Sequence, residues 1–341
     1  MRAVLLLALL GACRSPGAQP AASSLVRASR ELMSTEWEVS IAQPMGQDPA
    51  SALAAAEAAL DEVARIEAEM SPYKGDSELA RVNAAAGGAA VHVSAELRGL
   101  VARSVALCGE TGGSLDITFM PLGRLWDYRR RPFVVPTEEQ IQQARALVDC
   151  HAIEIDDVAG TLRLPRDGMA IGLGAIAKGY AVDRASEVLA AAGFSNHIVS
   201  GGGHVLAHGA KAEGPWVVGI RDPRGGRTDL LGSLPLVDAA LVTSGDYERF
   251  VEVDGKRYHH ILDPRTGRPA EGLMAVTVLD RSAERADALA TALLVAGPTE
   301  APRMLQELRV EALLVRTDGT WQASAGITER VTLEGLSPPV R

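Results

Sequence analysis

Asp287 and Thr291 stand four residues apart in a stretch, residues 282–296, whose apolar spacing and Ser282 cap predict a helix. Both side-chain oxygens then leave one face of that helix. A carboxylate beside a hydroxyl suits a hard divalent cation such as Mg2+, which takes oxygen ligands and keeps open positions for phosphate oxygens. The same spacing also lets Thr291 bond back to the carbonyl at position 287 while Asp287 is solvated. His259 and His260 are neighbours on a predicted strand, so their rings point to opposite faces and only one can face a site. His260 runs directly into Ile261-Leu262-Asp263-Pro264-Arg265-Thr266-Gly267, a polar turn that places it at a pocket edge. The other histidines are scattered, and no Cys/His group has zinc spacing.

Gly172-Leu173-Gly174-Ala175-Ile176-Ala177 matches the dinucleotide fingerprint G-x-G-x-x-A, but that fingerprint needs an acidic residue roughly 20 positions on. Gly193-Phe194-Ser195-Asn196 occupies that place, which argues against a nicotinamide oxidoreductase. Lys178 and Gly179 at the following helix start offer an anion site, and close packing of helix on sheet is the other reading of these small residues. Glycine and small polar residues cluster again at 111–118, 200–203 and 243–247, where a backbone can approach a ligand closely. Tyr73, Phe119, Trp126, Tyr180 and Tyr247 fall in or beside such stretches and could sandwich a planar ligand, or fill the core.

Helices are predicted over residues 53–70, from the Ser94 cap to 108, after the Thr137/Gln140 capping box, over 178–192, from Ser282, and after Pro302. Strands are predicted at 37–41, 169–171, 197–200, 216–220 and 239–243. Two hairpins turn at Asp254-Gly255 (250–253 with 258–262) and Asp318-Gly319 (312–316 with 321–324). Strands joined partly by hairpins and partly by helices predict a mixed α+β layered fold, not a repeated βαβ pattern.

The 341 residues carry Lys+Arg 34 against Asp+Glu 43, a net charge of −9, with no basic run interleaved with aromatics, so nucleic acid is excluded as a partner. Hydrophobic content of 47% with 23% charged residues fits a globular chain. Arg2, the apolar run 3–10 and Leu10-Gly11-Ala12-Cys13 form a secretory leader over 1–12. The same run resembles a bacterial lipobox that would acylate Cys13 and leave a lipid-anchored linker over 13–28, on the periplasmic face of a membrane. The remaining Cys108 and Cys150 are read as two buried free thiols, with pairing in an oxidising compartment as the alternative.

Several stretches, taken in order, resemble the ApbE-like FAD:protein FMN transferase family. They are Met33-Ser34-Thr35, Met70-Ser71-Pro72-Tyr73, Thr111-Gly112-Gly113-Ser114-Leu115-Asp116-Ile117-Thr118, Gly174-Ala175-Ile176-Ala177-Lys178-Gly179, Thr243-Ser244-Gly245-Asp246-Tyr247, the His260 to Gly267 turn and Ala286-Asp287-Ala288-Leu289-Ala290-Thr291. The resemblance implies one catalytic domain over 29–335, an antiparallel sheet with helices in a T-fold-like core, and a smaller added lobe. It implies that FAD is cleaved at its pyrophosphate, FMN is esterified to a threonine of an exported acceptor protein, and AMP leaves. It places Mg2+ on Asp287, Thr291 and the Ala175 carbonyl. It lines the FAD site with Met33, Tyr73, Ser114, Leu115, Asp116, Lys178 and the Leu262 backbone. His260 is then the general base, since an imidazole titrates near neutral pH. Acceptors are expected among subunits of flavin-dependent complexes such as sodium-pumping quinone reductases.

Gly172 and His204 stand where that family commonly carries aspartate, which removes two carboxylates from the expected site. An Mg2+-dependent FAD pyrophosphatase, or an FAD-binding lipoprotein without turnover, are the alternatives.

Overall fold

The computed structural model describes residues 23–226 and 228–333. Eight strands lie side by side in chain order: β1 (Ser23–Leu32), β2 (Thr35–Pro44), β3 (His197–Gly201), β4 (His204–His208), β5 (Ala239–Gly245), β6 (Leu273–Asp280), β7 (Glu311–Arg316) and β8 (Trp321–Ala323). Every neighbouring pair is antiparallel. Alternation along the strands sends side chains into two cores. Ala240, Val242, Val276, Val278, Ala312 and Leu314 face one side, while Leu241, Ala275, Leu279, Leu313 and Val315 face the other.

The first face is covered by α1 (Pro49–Met70), α3 (Ala177–Ala191) and α4 (Ala283–Leu308), with α3 packed between the other two and all three on the sheet. The second face is covered by a three-stranded antiparallel sheet of Trp216–Arg221, Leu230–Leu236 and Thr332–Leu333. Burial on both faces explains why β6 and β7 read as nearly unbroken apolar runs instead of alternating ones. The expected α+β architecture is present, and the sheet is open, not a closed barrel. A smaller unit between β2 and α3 carries α2 (Ala95–Glu110) and a three-stranded sheet of Val91–His92, Glu154–Asp156 and Thr161–Arg163.

The expected helices form, and the predicted caps are made: Ser94 caps α2, Thr137 and Gln140 close a capping box, and Ser282 caps α4. The helices expected after Ser282 and Pro302 are two runs joined across a break at Gly297, whose φ of 72° leaves helical geometry. The two predicted hairpins form, although Leu262 belongs to a separate two-residue pairing of Leu262–Asp263 with Arg268–Pro269.

Three readings need correction. Residues 169–171 form no strand, because the Asn83 side chain takes both backbone groups of Ile171, donating to its carbonyl (2.9 Å) and accepting from its N–H (2.7 Å). Residues 23–28, expected to belong to a linker, are instead part of β1, with Val26, Ala28 and Leu32 turned to the core. Residues 13–22, with Cys13, and the leader lie outside the described residues. Cys108 and Cys150 are not free thiols but a disulfide, joining the last turn of α2 to the turn Cys150–Ala152. No helix among the described residues is long and apolar enough to cross a membrane.

Candidate active site

One end of the large sheet gathers the chemistry. The β1–β2 turn, the β3–β4 turn and the end of β5 all lie there, since Trp37 pairs with Gly201, Val242 with His204, and the Thr243 N–H donates to the Gly203 carbonyl. The β1–β2 turn is Met33-Ser34, a two-residue connection with φ of 50° and 62°. Positive φ at two successive non-glycine residues costs energy, and such outliers concentrate where a ligand or a turn demands them.

Behind this edge, α3 and α4 cross so closely that a Cβ on Gly179 would meet the Ala283 carbonyl oxygen at 2.1 Å and Asp287 Cβ at 2.8 Å. Only glycine fits there. The closeness lets the Gly179 N–H donate to Asp287 Oδ2 at 3.0 Å, so a carboxylate from α4 serves the free amides of the α3 start, where Ile176 supplies no side-chain cap.

Asp287 is 2% exposed, so it is not the solvated side chain that its spacing alone allowed. Its other oxygen, Oδ1, lies 2.9 Å from His204 Nε2, at ion-pair distance but without the alignment of a hydrogen bond. His204 Nδ1 faces the carbonyls of Gly201 and Gly202 at 3.1 and 3.0 Å, so it acts as the donor there. Burial alone would raise the Asp287 pKa, but the charges of His204 and Lys178 and the Gly179 N–H bring it below the ordinary carboxylate range. This carboxylate stays charged inside the protein. Lys178, in the first turn of α3, donates from Nζ to the Gly174 carbonyl at 3.2 Å.

Thr291 is one turn further along α4, and its Oγ1 meets Ser244 Oγ of β5 at 3.1 Å. That contact replaces the back-bond to position 287 considered from spacing. Asp287, Thr291 and the Ala175 carbonyl are oxygen donors only, which fits a hard cation. Among the described residues the other group of candidate metal ligands, Cys108, Cys150 and His151, is closed to metal by the disulfide.

His260 feels the charge of Lys178 from another side. Burial, with the nearby cations Arg249 and Lys178 and the neighbour His259, pushes its pKa down to about 4, and its Nδ1 is buried without a partner. His259 turns the other way, with Nε2 donating to the Ala270 carbonyl at 2.8 Å. The strand ends at His259, so His260 lies one residue beyond it and not beside it on the strand.

Ser114 is 1% exposed and its Oγ also lacks a partner, an arrangement that in a folded protein calls for a ligand or a water. Leu115 is buried beside it. Asp116 accepts from the Thr118 N–H (2.7 Å), the Thr118 hydroxyl (2.5 Å) and the Cys150 N–H (3.0 Å), while burial pushes its carboxyl up. Leu262 packs with Leu122, Trp126 and Ile141. Tyr73 is 75% exposed, with the Arg129 guanidinium over one side of its ring. Met33, Tyr73 and Asp116 make no hydrogen bond or ion pair with the Asp287 group among the described residues.

Of the two departures, Gly172 has the Met120 side chain packed over it: a Cβ there would meet Met120 Sδ at 2.6 Å and Phe119 Cε1 at 3.1 Å, so a larger residue requires Met120 to move. His204 places an imidazole beside Asp287 where an acid was expected.

The ApbE family model matches residues 33–314. This chain belongs to the ApbE family. Among its relatives, the FAD:protein FMN transferase of Vibrio cholerae is 34% identical over 318 residues, covering 92% of each chain. That of Treponema pallidum is 36% identical over 296 residues, 80% of this chain and 81% of its own. The crystal structure of the ApbE protein from Thermotoga maritima superposes with a TM-score of 0.82 at 31% identity, covering 90% of this chain and 99% of that one. The Vibrio cholerae flavin transferase ApbE gives 0.80 over the same share of this chain. Within this ApbE-family chain the matched span begins at the strained Met33 turn and runs past Thr291, so it takes in every residue of the site described above.

Proposed function

We propose that the chain transfers the FMN part of FAD to a threonine hydroxyl of an acceptor protein and releases AMP. The observation that supports this reading best is Asp287, a carboxylate held charged at 2% exposure by His204 and Lys178, with the Thr291 hydroxyl one turn away. Asp287, Thr291 and the Ala175 carbonyl would hold Mg2+, which when bound neutralises phosphate charge and stabilises the leaving AMP.

The remaining work falls to the chain's own side chains. Lys178 sets a positive charge at the start of α3, where the free amides of the helix favour phosphate oxygens. The loop of Ser114, Leu115 and Asp116, with Met33, Tyr73 and the Leu262 backbone, binds FAD, and the unpartnered Ser114 Oγ is the polar atom that such a ligand satisfies. His260, neutral because burial and neighbouring cations depress its pKa, accepts the proton of the threonine hydroxyl. The threonine oxygen then forms a bond to the FMN phosphorus as the bond from that phosphorus to the bridging oxygen breaks, and the electron pair leaves with AMP.

The acceptor is an exported subunit of a flavin-dependent redox complex of the sodium-pumping quinone reductase kind, and the protein works on the periplasmic face of a membrane, anchored through an acylated Cys13. The Cys108–Cys150 disulfide supports an oxidising compartment.

The test incubates the leaderless protein with FAD and Mg2+, with and without an acceptor domain bearing a target threonine, and follows AMP release and acceptor mass. A gain of one FMN on the acceptor, lost with EDTA, is the expected result. AMP release without labelling makes the chain an FAD pyrophosphatase, and bound FAD without AMP makes it a carrier.

A further inference from the structure

We infer that the Cys108–Cys150 disulfide is a positioning element of the flavin site, acting through the carboxylate of Asp116. The inference rests on the reading that Asp116 contacts FAD.

Both half-cystines hold the segment that carries this carboxylate, and they do so through their own backbones. The Cys108 carbonyl accepts from the Gly113 N–H at 2.9 Å, fixing the root of the turn that leads to Ser114, Leu115 and Asp116. The Cys150 N–H donates to Asp116 Oδ2 at 3.0 Å, while both contacts to Oδ1 come from Thr118, two residues along. Among the described residues Cys150 is thus the one hydrogen-bond partner of the Asp116 carboxylate from outside its own segment. The neighbouring Asp149 N–H donates to Thr118 Oγ1 at 2.8 Å, so the 149–150 backbone holds the carboxylate directly and through its nearest partner.

The same backbone has other ties: Ile153 is buried in the main core and Glu154–Asp156 pair with Thr161–Arg163 just beyond it. The Asp149 carboxylate reaches Arg166 at 3.2 Å with both side chains substantially exposed, an ion pair that solvent screens. The covalent link to the end of α2, with both cysteines 2% exposed, joins residues 149–152 to the helix from which the 111–118 segment leaves. Without it the Cys150 amide drifts, one carboxylate oxygen of Asp116 loses its donor, and the side chain no longer has a single orientation toward the ligand.

A double-mutant cycle tests this. FAD dissociation constants are measured by flavin fluorescence for the wild type, C108A/C150A, D116N and the combined variant, with far-UV circular dichroism and melting curves on each. The expected result is a roughly tenfold weaker FAD affinity on removing the bridge, the scale of one lost charge-assisted hydrogen bond. It also requires no further weakening when the bridge is removed from D116N, since the two changes act on one group. Affinity unchanged without the bridge, or losses that add in the combined variant, overturn the proposal, the latter because the bridge then acts through general stability. Should C108A/C150A fail to fold, the folded wild type is treated with a water-soluble phosphine. The bridge takes up two electrons and two protons to give two thiols as the phosphine is oxidised, and the same loss of affinity is expected. Oxidised wild type that binds no FAD at all overturns the functional reading itself and is distinct from a bound FAD indifferent to the bridge.

Discussion

Two aspartates at the crossing of α3 and α4 invite comparison, because each serves the other helix's first turn. Asp183, on α3, accepts from the Ser282 hydroxyl (2.8 Å) and from the N–H groups of Ala283 (2.8 Å) and Glu284 (3.0 Å), so both of its oxygens are consumed in capping α4. Asp287, on α4, gives one oxygen to the Gly179 N–H of α3 and turns the other toward His204. All three donors to Asp183 are neutral, and burial raises its pKa in spite of them. Asp287 is buried more deeply, yet cations hold its pKa down. A buried carboxylate satisfied by neutral donors is a structural part, whereas one kept charged by cations with an oxygen to spare can take a ligand.

The largest effect that separates the two is on catalysis. Asp287→Ala is expected to lower AMP release by about 10³-fold or more, the several kcal/mol that a metal-assisted phosphoryl transfer draws on at ~1.4 kcal/mol per tenfold. Asp183→Ala should leave the rate at 25 °C within about twofold, because it removes a cap and no reacting group. Comparable losses in both variants would erase the distinction. His260→Ala comes next, with an expected loss of about 10²-fold in acceptor labelling, at the lower end for a general base. With its pKa near 4, the wild-type rate should be flat from about pH 6 to 8 and fall only on the acid side, as the imidazole gains a proton. A fall centred near pH 6.5 would show that FAD or acceptor restores an ordinary imidazole.

Stability sharpens the contrast from the other side. Asp183→Ala leaves two amides and a hydroxyl without their acceptor, which costs about 2–4 kcal/mol and lowers the melting temperature by roughly 5 °C. The smallest effect is in the slope of melting temperature against pH. Asp287 has a lowered folded pKa, so its contribution is present above the ordinary carboxylate value and is lost as pH falls through the folded one. Asp183 has a raised folded pKa and gains a proton more readily folded than unfolded, so its contribution has the opposite sign. Between pH 5 and 3, Asp287→Asn should therefore melt with a shallower acid decline than wild type and Asp183→Asn with a steeper one, as read by calorimetry.

The spacing of Asp287 and Thr291 was legible because a helix repeats on a local period, and so were the helix caps and hairpin turns, which depend on residues three or four apart. His204 as the neighbour of Asp287 was not, because strand-to-helix packing brings them together across 82 intervening residues. The same limit hid the pairing of Cys108 with Cys150, since sequence does not give the distance between two Cα atoms. The 169–171 segment misled for another reason: its apolar residues are buried as a strand's would be, but an asparagine side chain supplies the partner that a strand would have. The β1 strand carried a signal that was passed over, the alternation of Val26, Ala28 and Leu32 behind a Pro/Ala/Ser-rich stretch.

Chain order across the large sheet has a kinetic consequence. Most neighbouring strands are joined by short or moderate connections, but β2 ends at Pro44 and β3 begins only at His197. Contacts between distant segments form late, because the entropy of closing the loop precedes any reward from pairing. The seam between β2 and β3 is such a contact, and the Met33 turn stands on one side of it with His204 on the other. Flavin binding should therefore appear at the end of refolding, after most helical signal has returned, so that partly folded chains hold no cofactor.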